Sequence, residues 1–218
     1  MILGVYCAGG FGGVTYELAT EVNVGNARWE KILYIDDAPE KFEQDNNILT
    51  FEQFTATYRP EEAEIIIAAG EPRLREYLFN KVKACGYYVP NIIHPMANAQ
   101  KITKIGEGNI ILNFSYISAS NVTMGNNNIV MPYAQISHDN IIGSHCVITS
   151  AANLSGTTVL GDRVYIGVGA KLRESITIGH DAIVGMGAIV VKSVDEESVV
   201  MGLPAKEVRK NTGKVFKG

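Results

Sequence analysis

The chain has 218 residues, a formal net charge of −4, and a composition that is 46% hydrophobic and 19% charged. That length supports one to two domains with a substantial core, and the acidic balance argues against a nucleic-acid backbone as partner. The opening MILGVYCAGG has no basic leader segment, and no apolar run approaches the roughly 18 residues of a membrane helix. Cys7, Cys85 and Cys146 lack any CxxC spacing and read as reduced thiols, so a cytoplasmic protein without a disulfide framework is expected.

Residues 1–90 alternate strands and helices. Ile2–Tyr6 reads as a short strand, followed by the glycine-rich loop Cys7–Gly13 and a helix to about Val24, with Leu18 and Val22 four apart. Ile32–Ile35 is a second strand ending on Asp36 and Asp37; Ile65–Ala69 is a third, followed by Gly70. Pro72 then opens a helix where its missing N–H costs least, with Leu74, Leu78, Val82 and Cys85 as the expected buried face and Gly86 as its stop. This alternation predicts a small parallel sheet with helices packed on it.

The segment 90–95 (PNIIHP) reads as the join to a second domain over 91–218. There an aliphatic residue returns every six positions, unbroken from Met124 through Val130, Ile136, Ile142, Ile148, Leu154, Leu160, Ile166, Leu172, Ile178 and Val184 to Val190. A period of six fits neither a helix nor plain strand alternation; it fits a β-solenoid in which three short strands make an eighteen-residue coil. Four positions after each aliphatic residue stands a small or β-branched one, such as Ala134, Cys146, Ala152 and Ala170, with the same inward parity. Asn128, Asn140 and Ile176 depart from that rule. Below Met124 the rhythm runs through Ile93, Ala99, Ile105, Ile111 and Ile117, and a step of seven places one extra residue near Val122 or Thr123.

Coil stacking makes residues eighteen apart neighbours. His138 lies on the outward side of its repeat, next in sequence to Asp139, with Gly156 one coil on. A histidine titrates near neutral pH and can take a proton from an attacking amine or hydroxyl; a carboxylate can hold its other N–H, and a bare glycine N–H can donate to a developing oxyanion. His138 and Asp139 can meet only if the chain bends between them. The same residues also fit a surface His-Asp pair with no task. His145 and His180 fall on a different face from His138, which argues against a metal site within one subunit.

The loop Cys7–Gly13 combines bare backbone with a following helix N-terminus, features that suit a phosphate, and the Asp36–Asp37 pair stands where a ribose or sugar hydroxyl is held. A complete GxGxxG is absent, since Ala8 stands at its first position. A tight strand–helix turn without ligand is the alternative. Residues 206–218 hold Lys206, Arg209, Lys210, Lys214 and Lys217 against the single acid Glu207, which reads either as a solvated end or as a contact for a phosphorylated cofactor.

Taken together, CAGGFG, YIDD, IAAG, IIHP, ISHDNIIG, the hexapeptide array and MGLPAK resemble the PglD/NeuD-type bacterial sugar acetyltransferases over nearly the whole chain. The resemblance implies a Rossmann-like N-terminal α/β domain followed by a left-handed parallel β-helix, a homotrimer, acetyl-CoA as co-substrate, no metal, and a nucleotide-linked sugar as acceptor. It implies His138 as general base and Asp139 as the acid behind it. Gly156, Val168 and Met186 are its expected acetyl-CoA contacts, and Gly9, Gly10, Phe11, Asp36, Asp37 and Gly70 its expected nucleotide-sugar contacts. Two departures stand out. Many relatives carry a second histidine where this chain has Val147, with His145 two positions away and so expected on the same side of a strand, and Cys7 replaces the first glycine of the N-terminal loop. The activity expected is N-acetylation of a 4-amino-6-deoxy sugar for surface-glycan or glycoprotein synthesis. O-acetylation of a sialic-acid type sugar, or a non-catalytic nucleotide-sugar-binding solenoid, are the alternatives.

Overall fold

The computed structural model describes residues 1–38, 47–99 and 102–213. Lys214 and Lys217 of the basic tail lie outside the described residues. The N-terminal part is built from β1 (Ile2–Tyr6), α1 (Gly10–Asn26), β2 (Lys31–Ile35), β3 (Ile48–Leu49), α2 (Phe51–Thr57), β4 (Ala63–Ile67) and α3 (Pro72–Ala84). Its four strands are all parallel in the order β3-β2-β1-β4. β4 is buried along its whole length, as expected of a parallel strand covered on both faces.

Two features differ from the sequence expectation. The short helix α2 follows a capping box in which Thr50 and Gln53 satisfy each other's backbone N–H, a Thr-x-x-Gln signal of helix onset. The buried face of α3 is Arg75, Leu78, Phe79 and Val82, whereas Leu74 and Cys85 are exposed. The helix is therefore turned so that an arginine faces inward. The reason is an interdomain acceptor for its guanidinium, described below. Among the described residues no helix is long and apolar enough to cross a membrane.

From Ile92 the chain winds into a left-handed parallel β-helix with three sheets of two-residue strands. Successive coils pair in register at eighteen residues, for example Ile129↔Val147, Gln135↔Asn153 and Ile141↔Val159. The aliphatic strip and its partners at offset four form one continuous interior. Asn128 and Asn140 also point inside and are fully buried. The chain turns its corners through a left-handed residue three places after the aliphatic one, including Asn127, Tyr133, Asp139, His145, Ala151, Thr157, Arg163, Ser175 and Asp181, with φ between 56° and 63°. That conformation is uncommon outside glycine; here it recurs because every corner must turn the same way.

The extra residue lies earlier than expected. Strands that pair across it are nineteen apart, as in Ile110↔Ile129 and Tyr116↔Gln135. Asn121 is the left-handed residue and Val122 the inward one, so the insertion enlarges the corner 118–120. The coil thus has three edges: a first after Ile129–Val130, a second after Gln135–Ile136, and a third after Ile141–Ile142. The hairpin Ser198–Gly202 and Ala205–Lys210 closes the top.

The N-terminal part docks on the third edge through α3. Its apolar core continues over the outer side of the first sheet, taking in Ile110, Ile129 and Val147. Down the edge, Asn127 meets Arg75 at 2.6 Å, His145 meets the edge of Phe79, Arg163 meets Glu76 at 2.9 Å, and Asp181 meets Arg73 at 2.8 Å. One corner residue per coil meets a residue of α3.

Candidate functional site

The second edge carries His138 and Asp139. Asp139 is its left-handed residue (φ 57°), and that turn supplies the bend a regular strand would not. His138 Nδ1 lies 2.7 Å from Asp139 Oδ2. An ionised carboxylate only accepts, so His138 donates from Nδ1 and Nε2 keeps the lone pair. Hydrogen bonds from His138 and then Asn121 hold the Asp139 carboxyl below the usual carboxylate range. The imidazole lies against Gly156: a Cβ there would be 2.6 Å from His138 Cε1 and 2.7 Å from Nε2. Only glycine leaves room for the ring, and among the described residues the Gly156 N–H has no protein acceptor.

Two neighbours in this corner were not singled out from the sequence. Asn121 Nδ2 donates to Asp139 Oδ1 at 3.0 Å, and Asp139 N–H donates to Ser120 O at 2.9 Å. The enlarged corner therefore sits directly beneath the His–Asp pair. Inside, Asn140 Nδ2 donates to Ser137 O and Ser155 O at 2.8 and 3.0 Å, bracing the corner from within. Its Oδ1 is buried without a partner among the described residues, a cost of roughly 1–3 kcal/mol. The break in the small-residue rule at 140 was the available signal.

The second constellation lies at the C-terminal ends of β1, β2 and β4, the side on which open α/β sheets bind ligands. Gly9 begins α1 without any side-chain cap, and the first turn has no acid, so its free N–H groups and positive dipole end face solvent. A Cβ at Gly9, Gly10, Gly13 or Gly70 would meet nothing within 4 Å, whereas one at Gly12 would lie 2.1 Å from Cys7 O. Gly12 is thus required by packing, while the other four leave open backbone. Phe11 is half-buried at the start of the helix.

Both acids are engaged in shaping the site. Asp36 accepts the N–H groups of Ala8 and Ala38 at 2.9 and 3.0 Å, fixing the glycine loop. Asp37 accepts from Tyr6 Oη at 2.6 Å, Lys81 Nζ at 2.9 Å and Phe51 N–H at 3.0 Å. Burial would raise its pKa, but those donors outweigh it and hold the carboxyl below its ordinary value. A crevice of about 280 Å³ opens beside them, walled by the exposed Leu74 and Tyr77 of α3. Cys7 lines it with φ 85°, a geometry that favours glycine. Burial, with Asp36 nearby, pushes its thiol up to about 12.

Residues 2–82 match the family described as the PglD N-terminal domain. The acetyltransferase domain of PglB from Neisseria gonorrhoeae FA1090 superposes with a TM-score of 0.84 at 29% identity, covering 95% of this chain and 99% of that one. WeeI from Acinetobacter baumannii AYE gives 0.84 at 29% identity, over 95% and 100%. PerB from Caulobacter crescentus, solved in complex with CoA and GDP-perosamine, gives 0.84 at 26% identity, over 95% and 97%. No curated protein matches the chain by sequence. The N-terminal residues thus match the PglD N-terminal domain, and the chain as a whole is similar to PglD-type sugar acetyltransferases.

The remaining expected residues are spread over the first and third edges and the first sheet. Val168 and Met186 stand one above the other on the first edge and are exposed, on a different edge of the same chain from His138. Val147 is buried in the core shared with the N-terminal part. His145 does not stay on a strand face beside it. It is a left-handed third-edge corner residue (φ 63°), buried against Phe79, because at a corner the two-residue alternation no longer applies. Neither position presents a free polar group to solvent. His180 lies on the third edge, where Nδ1 accepts the Asp162 N–H at 2.9 Å.

Proposed function

We propose that the protein transfers the acetyl group of acetyl-CoA to the amine of a nucleotide-linked 4-amino-6-deoxy sugar, with residues 1–90 holding the nucleotide sugar and residues 91–218 the acetyl donor. The observation that carries this reading is His138: Nδ1 is tied to Asp139 at 2.7 Å while the ring lies against the bare backbone of Gly156. The donor and acceptor classes are supported by relatives: the PglB domain was solved in complex with acetyl coenzyme A, and PerB with CoA and GDP-perosamine.

The acceptor amine attacks the thioester carbon, and the new C–N bond forms as His138 Nε2 takes the amine's proton. The Asp139 carboxylate stabilises the imidazolium, and the Gly156 N–H donates to the oxyanion. As the C–S bond breaks, His138 returns the proton to sulfur and CoA leaves as thiol. Gly9, Gly10, Phe11 and Gly70 present backbone to the diphosphate and sugar, with Asp36 and Asp37 shaping the loop and crevice. Val168 and Met186 line the acetyl-CoA cleft. Because they occupy a different edge from His138, the reading includes a homotrimer in which neighbouring subunits complete each site. The free thiols fit a cytoplasmic setting.

Thiol release from acetyl-CoA, followed with UDP-, dTDP- and GDP-linked amino and hydroxy sugars, tests the reading. Turnover with an amino sugar is expected. Turnover with hydroxy sugars alone would make the protein an O-acetyltransferase. Binding of a nucleotide sugar with no acetyl-CoA binding by calorimetry would make it a non-catalytic solenoid.

A further inference from the structure

Arg75 is fully buried on the inner face of α3, yet among the described residues it has no acidic partner. Its guanidinium meets only neutral oxygens: Nε donates to Asn127 O at 2.9 Å, Nη1 to Ile67 O and Ala69 O at 2.8 and 2.9 Å, and Nη2 to Asn127 Oδ1 at 2.6 Å. Asn127 Nδ2 returns a bond to Arg75 O at 3.0 Å. Burial pushes the guanidinium pKa down to about 9, so the charge persists at neutral pH. Carbonyls satisfy its hydrogen bonds but not its charge, and a buried ion without a counter-ion is costly.

The place of this charge gives it a use. Ile67 ends β4, and Ala69 precedes Gly70, so the guanidinium anchors the turn that borders the crevice. Other cations near the loop are already taken: Lys81 by Asp37 at 2.9 Å and Arg73 by Asp181 at 2.8 Å. Asp36 has only backbone donors among the described residues. A diphosphate arriving at the uncapped start of α1 would meet an acidic rim. Arg75 is the one charge in this set that is neither cancelled nor solvated, and its field reaches Cys7 at the base of the loop.

We propose that Arg75 is an electrostatic positioning residue: it fixes the Ala68–Gly70 turn against the solenoid and gives the glycine loop a positive potential whose counter-charge is the diphosphate of the bound nucleotide. This rests on the nucleotide-sugar reading of the crevice. The test measures affinity for UDP, GDP and dTDP, for the corresponding nucleosides, and for acetyl-CoA, in the wild type and in Arg75→Gln and Arg75→Lys. Loss of one unit of buried charge should weaken diphosphate binding about tenfold. Nucleoside and acetyl-CoA affinity should stay within about twofold, and Arg75→Lys should recover most of the loss.

Equal weakening of diphosphate and nucleoside in both variants would reduce Arg75 to a structural role, and undiminished diphosphate binding by Arg75→Gln would also overturn the proposal. Should Arg75→Gln fail to fold, Asn127→Asp places a counter-charge at the guanidinium and must show the same selective loss; unchanged diphosphate binding there overturns it. A wild type that binds none of the three diphosphates defeats the nucleotide-sugar reading itself, and the inference with it.

Discussion

Two edges of one coil, seven residues apart, each carry a histidine, and the surroundings give them opposite properties. On the second edge, His138 is 60% exposed at its side chain and bonded to a carboxylate. On the third, His145 is 7% exposed. Asn127 fixes its tautomer: Asn127 Oδ1 accepts from Arg75, so Nδ2 faces His145 Nδ1 at 3.0 Å, and that nitrogen must be an unprotonated acceptor. Burial pushes its pKa down to about 4. Both edges use the same left-handed turn, so the backbone does not distinguish them. What differs is whether a carboxylate or a helix is packed against the corner. The solenoid repeats a frame, and each edge acquires its chemistry from what is added to that frame.

The strongest way to break this contrast is to exchange the histidines' expected consequences. His138→Ala should lower turnover by roughly 10²–10⁴-fold, the usual weight of a general base, while leaving the melting temperature almost unchanged because the ring is exposed. Steady-state rates at neutral pH and a thermal melt check both halves. Undiminished turnover would remove His138 from the chemistry.

His145 should instead control stability against acid. Its folded pKa is near 4 and its unfolded pKa about 6.5, so between those values the unfolded chain binds more protons. Stability conferred by the neutral ring is therefore complete above about pH 6.5 and is lost as pH falls toward 4, by on the order of 3 kcal/mol. Glu76 and Asp162 act against this shift, while Arg75 and Arg163 reinforce it. Urea melts at pH 7 and 4.5 should show a smaller acid loss for His145→Gln than for the wild type, with His138→Ala retaining the full loss. Equal losses in the wild type and His145→Gln would mean that the buried ring is not the titrating group.

How far the sequence displayed these differences depends on the kind of contact. The six-residue strip made the solenoid legible, and arithmetic modulo eighteen brought His138 to Gly156, because parallel coils in register convert sequence distance into space. The same arithmetic could not foresee α3. A pattern of Leu74, Leu78, Val82 and Cys85 satisfies helical spacing, but the burial of Arg75 is decided by acceptors at Asn127, 52 residues away. Parity also misplaced His145, since alternation holds along strands and stops at corners. The insertion was recognised as a slip of one but placed too late, near Val122 or Thr123, because only the left-handed turn at Asn121 and the inward Val122 show that it lies before Asn121.

Asn121 offers the finest test of what makes the second edge different. The third edge is held by a whole helix, whereas Asp139 is oriented from below by a single side chain, Asn121 Nδ2 at 3.0 Å. Asn121→Gly removes that donor without adding backbone strain, because glycine readily adopts φ near 55°. The Asp139 carboxyl would then be held by His138 alone, and its pKa would rise toward the ordinary value. Turnover should fall by about 3–10-fold, the weight of one ordinary solvent-exposed hydrogen bond, with the KM for both substrates unchanged. A defect in folding or binding would raise KM instead, so the split between kcat and KM separates orientation of Asp139 from general damage. The acid limb of the pH–rate profile should also move upward, since Asp139 would lose its charge at a higher pH. Wild-type kcat in Asn121→Gly would show that the Asp139–His138 bond orients itself, and that the enlarged corner below it serves only the fold.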